Sequence, residues 1–402
     1  MDTALFQFIF WLAAAVIAYV YIGYPLLLAI LARPCKKVFP QSSDNLPFVT
    51  LLISAYNERN VIEDKIKNSL ALDYPRNWFH ILVISDCSDD GTDDIVLRYA
   101  QQGVQLVRSS ERLGKTEGLN LGVKHASGDT LIFSDANAMY QADAIRLLVR
   151  HFCDPAVGYV VGNARYLESS SQSASAESEG LYWKLETWMK EKESEFGSVV
   201  GGDGAIYAIR RELYSPLRST DINDFLNPLQ IIVQGYRGVY EPSAICFEEA
   251  GDTFEKEFRR KVRIVSRSLN AVRRVPRVLL PWTQPRHWLS LLSHKILRWF
   301  APVSLLVLLA ANLSLWSRPF FRFTACLQLA FYFLAVIGWV SRSRVAIPRF
   351  LSLPHYFCLV NAASLLGIFN CFSGSLTPTW QTIRQGTAPH SDESVRLVKR
   401  GS

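Results

Sequence analysis

Three apolar runs in this chain end abruptly in groups that can do chemistry. FVTLLISAY (Phe48–Tyr56) runs into Asn57-Glu58, HILVISD (His80–Asp86) ends on Asp86, and TLIFSD (Thr130–Asp135) ends on Asp135. A strand that delivers a carboxylate at its tip can hold a divalent cation against a phosphate. In FSDANAMY (Phe133–Tyr140) the residue two beyond Asp135 is Asn137 rather than a second acid. One carboxylate, with phosphate oxygens and water, still fills an octahedral Mg²⁺ or Mn²⁺ shell. Asp86 stands where its carboxylate can accept bonds from a nucleobase or ribose, although the following Cys87-Ser88-Asp89-Asp90-Gly91-Thr92 is also ordinary turn chemistry. Lys115 opens a helical stretch, as a cation placed near a diphosphate would.

The elements that must position these groups alternate. Between the runs lie helical patterns over Val61–Asp73, Asp93–Gln102 and Lys115–Ala126, and VQLVRS (Val104–Ser109) supplies a further strand. Strand–helix alternation predicts an α/β fold with a mainly parallel, Rossmann-like sheet. Such sheets bind ligands at the C-terminal ends of their strands, where Tyr56, Asn57, Glu58, Asp86, Arg108 and Asp135 all fall.

The chain has 402 residues and a formal net charge of +7. Its seven cysteines are scattered, with no C-x-x-C, H-E-x-x-H or P-loop, so neither a disulfide framework nor a zinc knuckle is expected. Leu5 to Ala32 carries no charge and is long enough to cross a bilayer, so residues 1–32 read as a retained transmembrane helix. Arg33, Lys36 and Lys37 after it favour the cytoplasmic side. Residues 44–281 then form a cytoplasmic domain. His287 to Phe300 suits an interfacial helix, or a cytoplasmic extension of the next one, giving an interfacial segment at 286–300. Residues 300–375 hold further transmembrane or interfacial helices, and 376–402 a basic cytoplasmic tail. If all three C-terminal stretches crossed, that tail would end opposite the domain. Its Arg384, Arg396, Lys399 and Arg400 argue for the inside, so one stretch is expected to be interfacial or re-entrant.

Six segments in order, SAYNE, SDCSDDGT, LGKTEGLNLG, FSDANA, GDGAIYAIRREL and DINDF…GYRGVYEPSA, resemble the membrane-bound family 2 inverting glycosyltransferases. That group includes cellulose, hyaluronan and poly-N-acetylglucosamine synthases and exopolysaccharide transferases, and the resemblance covers roughly residues 48–300. It implies a GT-A fold. Tyr56, Asn57, Glu58 and Asp86 then fall where the family holds the nucleoside, Lys115 near the donor, and Asp135, with Asn137, at the metal (Mg²⁺ or Mn²⁺). By the same resemblance Asp224 is the general base, with Asn223 in place of the usual acid and Asp221 as a rival carboxylate; Asp224 could also cap its helix.

Gly202, Asp203 and Gly204 match the acceptor-side segment, where glycines let a sugar approach the backbone. Trp183 and its aromatic neighbours at 179–196 suit either stacking on an acceptor sugar or packing of an amphipathic helix. The polar stretch Ser169–Ser178 before them reads as a loop. Arg263 keeps the arginine of the family's Gln-x-x-Arg-Trp motif, facing the leaving diphosphate, but Gln and Trp are absent. That departure leaves room for a single addition to a lipid-linked acceptor. Trp380 to Arg384 is similar to a gating loop of some synthases.

Between Lys256 and Arg277 stand nine basic residues and one acid, which suits membrane lipids or a lipid diphosphate better than nucleic acid in this setting. The expected activity is transfer from a nucleotide sugar, a UDP-sugar by this resemblance, to a glycan or polyprenyl-linked acceptor in exopolysaccharide or cell-envelope synthesis at a bacterial inner membrane. A catalytically silent partner subunit with a retained fold is the rival, motivated by Asn137, Asn223 and Ile264.

Overall fold

The computed structural model describes residues 3–33, 46–167, 174–249, 254–341 and 348–376. The chain divides into two compact units. One, the sheet unit, comprises Lys36–Leu167, Gly201–Glu249 and Thr377–Ser402. The other, the helical unit, comprises Met1–Cys35, Glu168–Val200 and Ala250–Leu376. The basic tail, the Trp380–Arg384 motif, Lys36 and Lys37 lie outside the described residues.

The sheet unit begins as the sequence pattern predicts. Strands β1 (Val49–Ala55), β2 (Phe79–Ser85), β3 (Val104–Arg108) and β4 (Thr130–Asp135) alternate with helices α3 (Ile62–Leu70), α4 (Thr92–Leu97) and α5 (Lys115–His125). Every residue of β1 is buried, as a parallel strand covered on both faces requires. Strands β5 (Met139–Tyr140), β6 (Val157–Leu167), β7 (Tyr207–Arg210) and β8 (Arg237–Glu249), with helices α6 (Ala144–Val149) and α8 (Asn223–Val233), complete it. The sheet order is β3-β2-β1-β4-β7-β6-β8-β5.

The first three strands march outward and the fourth returns beside the first, so a topological switch point lies between β1 and β4. The sheet is more mixed than the alternation alone suggests, because β7 runs antiparallel to both β4 and β6. No clean apolar run announces the later strands: β6 contains Gly158, Gly162 and Asn163, and its pairing with β8 shifts register at two places.

The helical unit contains α1 (Thr3–Ala18), a π-helical turn (Tyr19–Gly23), α2 (Tyr24–Leu31), α7 (Ala174–Phe196) and α9 (Phe254–Arg274). It continues with α10 (Pro285–Ser290), a second π-helical segment (Leu291–Ile296), α11 (Leu297–Ser314), α12 (Pro319–Val340) and α13 (Arg349–Ser373). Helix α7 starts within the polar stretch Ser169–Ser178 that reads as a loop; residues 168–173 are outside the described set. Among the described residues, four helical spans are long and apolar enough to cross a membrane: Thr3–Leu31, Pro285–Ser314, Pro319–Val340 and Phe350–Ser373. The segment at 286–300 runs without a break into α11, which makes a helix of 30 residues. At 1.5 Å per residue it spans about 45 Å, half as long again as a hydrocarbon core of about 30 Å. Its basic residues, Arg286, His287, His294, Lys295 and Arg298, all fall in its first half.

The last three of these meet α7. The buried Glu186 carboxylate accepts from Arg298 at 2.8 Å and from Lys295 at 3.3 Å. Glu193, also buried, takes the hydroxyl of Tyr24 at 3.0 Å and lies 2.6 Å from His294 Nδ1. Burial alone would raise the pKa of Glu186, but Lys295, His294 and Arg298 outweigh it and hold the carboxyl well below its usual range.

Candidate active site

Strand register places the chemistry-bearing tips side by side. Ala55 pairs with Ser85 and Ser54 with Asp135, so Tyr56, Asp86 and Asp135 leave three adjacent parallel strands at one edge. Antiparallel β7 pairs Tyr207 with Phe133. The segment that precedes Tyr207, Gly202-Asp203-Gly204, must therefore approach the same edge, just beyond Asp135.

The loops that follow β1 and β2 are laced to each other. Asn57, in the left-handed region at φ 53°, donates its backbone N–H to Ser88 Oγ (3.1 Å) and its side-chain amide to Asp89 (2.8 Å). The N–H of Asp89 returns to Asn57 Oδ1 at 3.0 Å, and the N–H of Glu58 reaches Thr92 Oγ1 at 2.9 Å. The Arg112 guanidinium stands 3.8 Å from the centre of the Tyr56 ring, a cation–π pair.

Asp86 is 2% exposed, and its carboxylate accepts the N–H groups of Leu113 (2.9 Å) and Gly114 (3.0 Å). Burial raises its pKa, and these backbone bonds offset part of the rise. Asp86 thereby fixes the turn that launches α5, a positioning task that the sequence pattern did not reveal.

Helix α5 opens on Lys115, whose ammonium is ion-paired with Asp135 Oδ1. A cation in a first helical turn opposes the helix dipole, so this end of α5, with its lysine, is arranged for negative charge. The next turns of α5 grip the approach to α8. Thr116 Oγ1 donates to the Asp221 carbonyl (3.0 Å), and Asn120 binds the Leu217 carbonyl (2.6 Å) and N–H (2.9 Å). Asp221 is fully buried and accepts the Arg218 N–H at 2.6 Å, which makes the rival carboxylate part of that turn.

Asp224 lies in the first turn of α8, whose N-cap is Ile222 rather than Asp224. A methyl group at Gly204 would sit 3.3 Å from Asp224 Oδ2 and 3.4 Å from Lys115 Nζ. Asp135, Lys115, Gly204 and Asp224 thus form one continuous constellation. Asn223 and Asn227 both donate to the buried Tyr207 hydroxyl, at 3.0 and 3.1 Å, and Tyr207 stacks on Phe133 at 4.6 Å. Burial, and then the nearby Asp224, push the Tyr207 phenol well above its ordinary value. Asn223, which replaces an acid, is therefore a structural donor in this chain.

The FSDANAMY loop is held from beneath by a residue that sequence reasoning missed. Lys65 is fully buried on α3, with its ammonium bonded to the Ala138 carbonyl and 4.0 Å over the Tyr140 ring. Burial pushes the pKa of its ammonium down to about 7. Asn68, one turn on, binds the Tyr140 N–H (2.8 Å) and carbonyl (2.9 Å), and the Tyr140 hydroxyl reaches the Ala205 carbonyl at 2.9 Å. The signal lay in the helical spacing: Lys65 occupies the inward face between Ile62 and Ile66.

For a divalent cation, Asp135 and Asn137 offer hard oxygen donors. Among the described residues no group of three His, Cys, Asp or Glu side chains could hold a metal. The donor set fits an ion that takes most of its shell from a diphosphate and water. Trp183 and Arg263 belong to the helical unit. The Trp183 ring has the cations of Arg260 and Lys261 each 5.7 Å from its centre, and Arg263 is exposed on α9.

A mixed sheet with a parallel nucleotide-binding half and a glycine segment facing its strand tips is the GT-A arrangement. Residues 50–217 match the model of glycosyl transferase family 2, so the chain carries a family 2 glycosyltransferase domain. It is 27% identical over 264 residues to poly-beta-1,6-N-acetyl-D-glucosamine synthase of Staphylococcus aureus, covering 64% of this chain and 62% of the relative. It is 26% identical over 238 residues to the probable glycosyltransferase YdaM of Bacillus subtilis, covering 56% of each. The chain thus spans somewhat under two thirds of these curated relatives. Among solved structures, the mannosyltransferase PcManGT of Pyrobaculum calidifontis, in complex with GDP-Man and Mn²⁺, superposes with a TM-score of 0.68. That likeness covers 90% of this chain and 99% of the other at 22% identity, and it establishes the fold.

Proposed function

We propose that this chain is a membrane-integrated inverting glycosyltransferase that moves a sugar from a nucleoside-diphosphate sugar, preferentially a UDP-sugar, to a glycan or polyprenyl-linked acceptor. Exopolysaccharide synthesis is the setting favoured by the likeness to the staphylococcal synthase. The catalytic domain faces the cytoplasm of a bacterial inner membrane in this reading. The observation that carries it is the constellation of Asp135, Lys115, Gly204 and Asp224 at the switch point of the sheet.

Each residue has a task. Tyr56, Asn57, Glu58 and Asp86 line the nucleoside end, with the Tyr56–Arg112 pair as a stacking platform. Lys115 and the start of α5 hold the diphosphate. Asp135, with Asn137, would hold Mg²⁺ or Mn²⁺, which neutralises charge developing on the leaving diphosphate. Gly202, Asp203 and Gly204 admit the acceptor. Asp224 removes the proton from the acceptor hydroxyl as its oxygen bonds to the anomeric carbon, and the bond from that carbon to the diphosphate breaks. The nucleoside diphosphate leaves and the anomeric configuration inverts.

The test is nucleotide release by purified protein in lipid nanodiscs, offered a panel of UDP- and GDP-sugars with Mn²⁺ or Mg²⁺, with and without bacterial lipid extract. Release with one sugar, abolished by EDTA, supports the reading and names the donor; dependence on extract selects the lipid-linked acceptor. Binding of UDP without release from any sugar, extract present, would replace this reading with a silent partner subunit.

A further inference from the structure

Helix α8 carries a proline in its interior, Pro228, buried and four residues after Asp224. An α-helix closes each turn with the N–H of residue i on the carbonyl of residue i−4. Proline has no N–H, and its ring crowds the carbonyl one turn back. The carbonyl denied its helical partner by Pro228 is that of Asp224.

That carbonyl is not left bare. It accepts the backbone N–H of Gly202 at 2.5 Å. The contact is close enough to demand glycine: a Cβ at Gly202 would lie 2.7 Å from the Asp224 oxygen and 3.3 Å from the Tyr207 ring. Two residues on, a Cβ at Gly204 would meet Asp224 Oδ2 at 3.3 Å. The main chain and the carboxylate of Asp224 therefore both abut the same three-residue run, Gly202 to Gly204.

We infer that Pro228 is a positioning residue for the transfer reaction: by withholding a helical hydrogen bond it gives the Asp224 carbonyl to Gly202 and so sets the carboxylate against the acceptor segment. This rests on the reading of Asp224 as the base. With alanine at 228 the carbonyl regains an ordinary helical partner and can turn back into the helix ladder. The carboxylate on the same residue then rotates with it, and the link from α8 to the glycine run is broken. A displacement of about 1 Å in a reacting group costs up to about 100-fold in rate.

The experiment compares Pro228→Ala, Gly202→Ala, the double variant and Asp224→Asn in nanodiscs. It measures kcat, donor KM, thermal midpoint and amide hydrogen exchange at Gly202. For Pro228→Ala the expected result is a fall in kcat of about tenfold or more with donor KM within about twofold. Its thermal midpoint should be equal or higher, since a helical hydrogen bond is restored, and the Gly202 amide should exchange faster. The double variant should be no slower than Gly202→Ala alone, because both changes break one link. If Gly202→Ala does not fold, exchange at Gly202 in Pro228→Ala decides the matter. Unchanged kcat, unchanged exchange, or losses that multiply in the double variant would overturn the inference. Wild-type kcat in Asp224→Asn would instead overturn the base assignment; an inactive Asp224→Asn beside a fully active Pro228→Ala would overturn only the role of Pro228.

Discussion

At the scale of the residue, the site depends on groups placed by others. In the proposed reading Asp135 is the carboxylate around which the diphosphate end is built, and Lys115 is ion-paired with it. Asp135→Ala should remove stimulation by Mn²⁺ and lower the transfer rate by at least about 100-fold, read from nucleotide release across a metal titration. Lys65 acts one layer down, through the Ala138 carbonyl. Lys65→Met removes a costly buried ammonium, so the thermal midpoint should hold or rise. The loop carrying Asp135 and Asn137 loses its anchor, so half-saturating Mn²⁺ should rise about tenfold. A variant with unchanged metal dependence would reduce Lys65 to a core residue.

At the scale of the element, the sheet is secured by polar groups as well as by its apolar core. Glu241 on β8, 4% exposed, accepts from Arg150 at 2.6 Å and lies 2.7 Å from His151. Burial would raise its pKa, but His151 and Arg150 outweigh that and bring it down to about 2. A carboxyl depressed on folding stabilises the fold above its unfolded value and loses that contribution as pH falls through its folded value. Denaturation of the sheet unit between about pH 4.5 and 2 should therefore be steep, and Glu241→Gln should flatten that limb.

The parallel half of this sheet was legible in the sequence because each of β1, β2 and β4 is an apolar run that ends in a polar tip. The antiparallel half was not. Its strands are short or interrupted, and they depend on partners far along the chain, as β7 does on β4 and β6. The same contrast holds at the site. Asp135 and Lys115 could be picked out from their places at element ends. Lys65 and Pro228 could not, because their significance rests on which backbone carbonyl each one binds or leaves unbonded.

At the scale of the whole molecule, four candidate membrane spans accompany a family 2 glycosyltransferase domain. The helical unit is tied together by polar links in apolar surroundings. Asn312 accepts from Thr324 at 2.7 Å and donates to Gln328 at 3.3 Å, joining α11 to α12. Asn312→Leu should lower stability in lipid by about 0.5–2 kcal/mol, measured by thermal unfolding in nanodiscs. Glu186 faces Lys295, Arg298 and His294 together. Its replacement by alanine leaves the partly buried Lys295 and Arg298 without this partner and should lower the thermal midpoint in nanodiscs.

The central claim is that Asp224 takes the proton of the attacking hydroxyl. The direct measurement is single-turnover sugar transfer by Asp224→Asn beside the wild type, at saturating donor, with donor affinity measured on the same samples. The account predicts a rate lower by about 10²–10⁴-fold with donor affinity within a few-fold of wild type. Transfer at the wild-type rate, or a loss that follows donor affinity alone, would contradict it.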